Sequence, residues 1–176
     1  MIMVIGGRCQ GKSSFAREHF ESRIQENKKI EKDGEIQKDH LENLKTDLWT
    51  DGETATWEEF LASAWCRNFH LLVRRILKRD ESLKLPLASE RETERRDENQ
   101  WEVSTHGIPD WKKLAESIYN ANPDRILVTD EIGYGIVPID AFEREYREET
   151  GRICCLLAEK SEEVWRVCCG LGQRLK

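Results

Sequence analysis

The chain has 176 residues, enough for one domain with a sizeable core and too few for two ordinary ones. Lys and Arg number 28 against 34 Asp and Glu, and the resulting charge of -6 removes any general electrostatic drive toward nucleic acid. No apolar run reaches membrane-spanning length and the chain opens on a core strand rather than a secretory signal. Hydrophobic residues reach only 38% against 35% charged, so a cytoplasmic protein with some solvated, loosely folded length is expected.

The first predicted element is a buried strand at Ile2-Met3-Val4-Ile5, which runs into GGRCQGKS from Gly6 to Ser13, a complete G-x-x-x-x-G-K-[ST] sequence. A strand, a glycine turn and a helix in that order aim several backbone amides and the positive end of a helix dipole at one point, where a di- or triphosphate can be held. The candidate nucleotide-binding residues are Gly6, Gly7, Arg8, Cys9, Gln10, Gly11, Lys12 and Ser13. Gly6 and Gly11 permit backbone angles closed to other residues. Lys12 reaches the outer phosphates and is the candidate catalytic residue, and the Ser13 hydroxyl completes the shell of a magnesium ion. A glycine turn that binds nothing is the competing reading, against which the strand in front and the helix behind both speak. GTP or ATP is the expected ligand, and the motif alone does not separate kinase from GTPase or ATPase.

The following helix is expected from about Ser13 to Phe20, with Phe15 and Ala16 toward the sheet. From Glu21 to about Thr46 only Ile30, Ile36, Leu41 and Leu44 offer anything to bury, which suits an exposed helix or a mobile insertion. Thr56 and Glu59 make a capping-box pattern, and Phe60, Leu61, Ala64, Trp65, Leu72, Val73 and Ile76 recur at helical spacing, so one long packed helix is predicted from Thr56 to Leu77. Its Arg67, Arg74 and Arg75 read as an exposed charged face or as contacts to an anion, and His70 as a core or rim residue. Lys78 to Gln100 mixes both charge signs and reads as a disordered loop.

Order is expected to resume at Pro109-Asp110, a helix start, with Trp111, Leu114, Ile118 and Tyr119 on one face and Asn122-Pro123 as the stop. Arg125 to Thr129 is a predicted buried parallel strand ending in Asp130-Glu131. Such an acid pair can stand beside a magnesium ion or be polar only because the strand leaves the sheet there, and both readings stay open. The six cysteines lack C-x-x-C spacing and are expected to be reduced and mostly buried, Cys9 being accessible beside a bound phosphate.

Val128-Thr129-Asp130-Glu131-Ile132-Gly133-Tyr134-Gly135-Ile136-Val137-Pro138 resembles the V-T-[ND]-E-V-G-x-G-I-V-P signature of the bifunctional adenosylcobinamide kinase and adenosylcobinamide-phosphate guanylyltransferase family. Phe142 to Arg152 is similar to its R-x-[FY]-R-[DE]-x-x-G-R segment. Ala158, Glu163-Val164-Trp165 and Gly170-Leu171-Gly172 are similar to its ending, and the N-terminal glycine loop matches as well. The resemblance implies an α/β fold of the RecA-like P-loop NTPase type, with a mostly parallel sheet flanked by helices and a C-terminal β-hairpin. Length and composition give one P-loop nucleotide-binding domain over residues 1–176, with flexible charged insertions expected at about 21–46 and 78–108.

The resemblance further implies a transferase of cobalamin biosynthesis with magnesium, a nucleoside triphosphate and adenosylcobinamide as its small-molecule partners, and an assembly of several copies of the chain. Family members phosphorylate the aminopropanol hydroxyl of adenosylcobinamide and then transfer GMP from GTP through a guanylylated histidine. The position that corresponds to that histidine is His40, although no arginine precedes Ile36, the spacing to His40 is one residue too long and the family's R-P pair is absent. Trp49 to Glu53 reproduces the family's W-x-x-x-E, making Glu53 a candidate nucleotide contact, and Asp51 stands where a central acid is sought. Asp51, Asp130, Glu131 and Ser13 are thus the candidate metal ligands. A working kinase, with or without guanylyl transfer, and a GTP- or corrinoid-binding module without turnover are the two functional readings.

Overall fold

The computed structural model describes residues 1–30, 49–85 and 109–176. Strand β1 (Ile2–Gly6) leads into helix α1 (Lys12–Ile30), which runs about ten residues past its expected end. Then follow β2 (Thr50–Asp51), α2 (Trp57–Ala62), β3 (Trp65–Arg67), α3 (Phe69–Leu77) and a 3-10 turn at Glu81–Leu83. The last elements are α4 (Trp111–Ala121), β4 (Ile126–Asp130), α5 (Ala141–Lys160), β5 (Glu163–Cys168) and β6 (Leu171–Arg174). The strands form one sheet in the order β2-β3-β4-β1-β5-β6, parallel throughout except for the antiparallel β5–β6 hairpin.

Alternation along the strands divides the core in two, as a sheet covered on both faces requires. Met1, Met3 of β1, Cys66 and Leu127 pack with Phe60, Phe69, Leu72, Leu114 and Ile153 of α2 to α5. Ile2, Val4, Trp65, Ile126 and Val128 face the other way, onto Ala16 and Phe20 of α1 and onto Trp49. The result is a mixed α/β fold with helices on either side of a mostly parallel six-stranded sheet. Among the described residues no helix is long and apolar enough to cross a membrane.

The single long helix expected from Thr56 to Leu77 is two short helices with a strand between them. The capping box is present, with Thr56 N–H donating to Glu59 Oε2 at 2.8 Å and Glu59 N–H to Thr56 Oγ1 at 3.3 Å. Helix α2 then stops because the next residues are claimed by the sheet: Trp65 and Cys66 pair with Ile126 and Leu127, and Ile126 N–H donates to Ala64 O at 2.8 Å. Trp65 and Cys66 bury on opposite faces, which a strand allows for neighbours and a helix does not.

A buried arginine seals this break. Arg125 is wholly inaccessible, and its guanidinium donates to Ser63 O (3.0 Å) and Leu61 O (2.6 Å) while lying 4.7 Å over the Phe60 ring. It satisfies carbonyls that the end of α2 leaves without helical partners.

The expected disordered loop is ordered at its start. Leu83 is fully buried, and Arg75 donates to Asp80 Oδ2 (2.7 Å), Ser82 Oγ (3.0 Å), Gly52 O (3.2 Å) and Ala55 O (2.6 Å). Arg75 is therefore an interior tie and not part of an exposed charged face. The rest of that loop and most of the expected insertion at 21–46 lie outside the described residues. Cys9 is exposed as expected, whereas among the other cysteines only Cys66 and Cys154 are buried and Cys155, Cys168 and Cys169 are exposed, against the expectation of burial. Helix α4 begins and ends as the sequence implies, Asp110 Oδ1 accepting from Lys112 N–H (3.1 Å) and Lys113 N–H (3.2 Å).

Candidate functional site

The Gly6–Ser13 segment occupies the carboxyl end of the central strand, the position at which open α/β sheets bind their ligands. Gly6 is required there, since a Cβ on it would stand 2.3 Å from Val167 O of the neighbouring strand. Gly11 has φ +80, open to glycine at no steric cost. Cys9 takes φ 59 as well, a left-handed conformation uncommon outside glycine.

Parallel pairing of β1 with β4 sets Gly6 opposite Asp130, so the loop and the strand-end acid meet without any long side-chain reach. Lys12 is buried, its ammonium group donating to Gly7 O at 2.7 Å and lying 2.6 Å from Asp130 Oδ1. Behind the pair stands His70, whose Nδ1 accepts from Asp130 N–H at 3.2 Å and whose Nε2 is 3.7 Å from Asp130 Oδ2. Burial depresses the His70 pKa; Asp130 opposes that, and Lys12 and Arg8 add to it. The Nδ1 acceptor role places the proton of the neutral ring on Nε2.

These groups floor a cavity of about 780 Å³. It is lined by Arg8, Cys9, Gln10, Gly11, Lys12 and Ser13 of the loop, by Glu53, Asp130 and Glu131, and by Arg74, Glu143, Tyr146 and Arg147 from α3 and α5. The Arg74 guanidinium lies 5.2 Å over the Tyr146 ring and 5.7 Å over Phe142, and it is ion-paired with Glu143. The Tyr146 hydroxyl is buried with no hydrogen-bond partner among the described residues, and burial raises its pKa. A polar atom left in that state within a cavity wall is a ready donor for a ligand oxygen.

The other candidates fall differently. Asp51 ends β2 but is not among the residues lining the cavity. Its carboxylate accepts from Arg67 Nε (2.9 Å), Asn68 Nδ2 (2.9 and 3.0 Å) and Glu53 N–H (3.0 Å). Burial pushes the Asp51 pKa up, and those hydrogen bonds together with Arg67 outweigh it, leaving a net depression. Asn68 borders the cavity in a left-handed conformation (φ 55), packed so closely that a Cβ on Gly52 would lie 2.4 Å from its carbonyl oxygen. His40 lies outside the described residues.

The sequence reading missed His70 and Arg74 as a cavity pair and did not single out Tyr146. The usable signal was the four-residue spacing of His70 and Arg74, which puts both on one side of a helix.

Among the described residues no three His, Cys, Asp or Glu side chains cluster as a self-sufficient metal site. A magnesium ion carried by phosphates needs only one or two protein oxygens, and Ser13 and Asp130 are hard oxygen donors of the required kind.

No protein of curated function matches the chain. The family described as cobinamide kinase / cobinamide phosphate guanyltransferase matches over residues 81–175, more than half of the sequence, which takes in Asp130, Glu131 and the whole of α5. The chain belongs to the cobinamide kinase / cobinamide phosphate guanyltransferase family.

Proposed function

We propose that the chain is a nucleotide-dependent kinase that phosphorylates the aminopropanol hydroxyl of adenosylcobinamide, with Gly6–Ser13 as the phosphate loop of a RecA-like P-loop NTPase fold. The observation that carries this reading is Lys12, buried with its ammonium group 2.6 Å from Asp130 and 2.7 Å from Gly7 O at the head of the cavity. In the reaction the acceptor oxygen bonds to the γ-phosphorus as the bond from that phosphorus to the β–γ bridging oxygen breaks, and the hydroxyl proton passes to solvent. Negative charge grows on the leaving oxygens, and the Lys12 ammonium group and the loop amides meet it.

Lys12 would exchange its present partners for a triphosphate, which offers more negative charge in the same place. Asp130, released from Lys12 and still held by His70, would then join Ser13 in holding magnesium, with Glu131 adjacent. Magnesium, when bound, neutralises charge on the β- and γ-oxygens. Asp51 keeps Asn68 and Glu53 at the cavity rim. The Tyr146 hydroxyl and Arg74 supply a donor and a cation on the wall that an acceptor substrate would face.

Transfer of GMP from GTP to the new phosphate is the second half of the proposal, with His40 as the acceptor. His70 is the less suitable of the two histidines because both its nitrogens face Asp130. The exposed apolar row Tyr134, Ile136, Val137 and Ile139 beside the cavity supports an assembly of several copies. The chain length supports a reading as one domain, and the net charge of -6 supports a cytoplasmic protein that does not bind nucleic acid.

The test is label transfer from γ-labelled GTP or ATP to adenosylcobinamide in the presence of magnesium. Transfer by the wild type and its loss in Lys12→Ala support the kinase. Transfer at an unchanged rate in Lys12→Ala overturns the loop assignment, and nucleotide binding without transfer by the wild type leaves a binding module. A covalent label from α-labelled GTP that disappears in His40→Ala tests the guanylyl half.

A further inference from the structure

The β5–β6 hairpin turns through Cys168, Cys169, Gly170 and Leu171, and that turn lies against the glycine loop. Cys168 pairs with Leu171, and the two central residues have φ 51 and φ 79, the positive pair that a two-residue hairpin loop demands. The two sulfur atoms consequently sit on the same side, 3.9 Å apart, and both side chains are exposed. The other adjacent pair behaves differently: on helix α5, Cys154 is buried and Cys155 exposed.

Gln10 clasps the turn twice. Its side-chain Oε1 accepts from Cys169 N–H at 2.7 Å and its backbone oxygen from Gly170 N–H at 2.9 Å. Gly11 is so near that a Cβ there would lie 3.2 Å from Gly170 Cα.

Two adjacent thiols can close on each other or grip one soft atom together. Neighbouring Cα atoms across a trans peptide are about 3.8 Å apart, short of the roughly 4.4–6.8 Å that a disulfide spans, so closure would strain the turn. A trivalent arsenic holds two sulfurs at roughly right angles, nearer than the 3.9 Å present and farther than the roughly 2.0 Å of an S–S bond, so capture asks for a smaller closing than a disulfide does.

We propose that Cys168 and Cys169 form a dithiol capture site for a soft, thiophilic centre of the trivalent arsenical kind, and that its occupancy is felt at the glycine loop through Gln10. With phenylarsine oxide as the probe, each sulfur forms a bond to arsenic. The two thiol protons leave with the oxide oxygen as water, and arsenic stays trivalent, so no oxidant takes part. Drawing both sulfurs onto one bridging atom shifts the turn and loosens the Cys169 and Gly170 bonds to Gln10. Capture is independent of the kinase reading; its consequence for nucleotide binding rests on the phosphate-loop assignment.

The experiment titrates the folded protein with phenylarsine oxide, counts bound equivalents by intact mass, and follows amide hydrogen exchange over residues 6–13 together with binding of a fluorescent GTP analogue. One equivalent per chain, kept against excess monothiol and released by a dithiol, is expected. It should be lost in Cys168→Ser and in Cys169→Ser and kept in Cys9→Ser and Cys155→Ser. Exchange over residues 6–13 should rise, and analogue binding should weaken roughly tenfold, as loss of one or two hydrogen bonds entails. Capture that survives in either hairpin variant, or that is lost in Cys9→Ser, overturns the site. Capture without a change in exchange over residues 6–13 overturns the coupling. Untreated protein that fails to bind the analogue sinks the phosphate-loop assignment instead, and the exchange result still decides the coupling.

Discussion

Asp130 and Asp51 both end parallel strands, yet the first faces Lys12 and the second faces only its own neighbourhood. The difference is strand order. Strand β4 is hydrogen-bonded to β1, so its last residue is in register with Gly6 and reaches the loop, while β2 is the sheet edge, three positions from β1. The edge acid is spent on structure, tying the β2 end to Arg67, Asn68 and the Glu53 amide. An acid at a strand end therefore acquires its role from the strand beside it and not from its own flanking residues.

The sharpest way to break this contrast is at Lys12, the partner only Asp130 has. Lys12→Ala should lower phosphoryl transfer at least about a hundredfold, as read by label transfer. Asp130→Asn should reduce transfer by roughly ten- to a hundredfold. Asp51→Asn should do the reverse: it should cost about 1–3 kcal/mol of stability through the weakened bonds of Arg67 and Asn68, measured by urea unfolding, with turnover of the folded fraction close to wild type. Equal losses of turnover in the two variants would dissolve the distinction between the two strand ends.

A smaller effect sharpens the structural side. Hydrogen bonds from Ser82, and then Arg75, hold the Asp80 pKa down to about 2. Because the folded pKa lies below the usual aspartate value, the associated stability is fully present above that value. It fades as pH falls through the interval down to about 2. Unfolding midpoints measured from pH 5 to pH 2 should fall less steeply in Asp80→Asn than in the wild type, and parallel curves would contradict the assignment.

Much of the site floor was legible because it is local. The loop motif, the apolar run before it and the strand ending in Asp130-Glu131 are contiguous stretches whose geometry follows from glycine, the helix start and β-branched residues. Helix α4 was legible for the same reason, and the C-terminal hairpin only through the family resemblance. The stretch from Thr56 to Leu77 misled because apolar residues at helical spacing also satisfy a short strand between two helices, and β4 claimed Trp65 and Cys66. The charged residues were the least legible: Arg75 read as part of an exposed charged face or an anion contact and Arg125 as the first residue of a strand, and both proved to be interior ties for carbonyl groups.

By itself the sequence determined that a strand, a glycine loop and a helix stand at the head of the chain, and that its second half carries the family's signature, since both depend on residues adjacent along the backbone. Only the tertiary structure decided which acid meets Lys12, that His70, Arg74 and Tyr146 wall the same cavity, and that the Cys168-Cys169 turn rests on Gln10. Each of these is a contact between segments far apart in the chain, set by strand order and helix packing, and no local pattern of residues encodes the order in which parallel strands assemble.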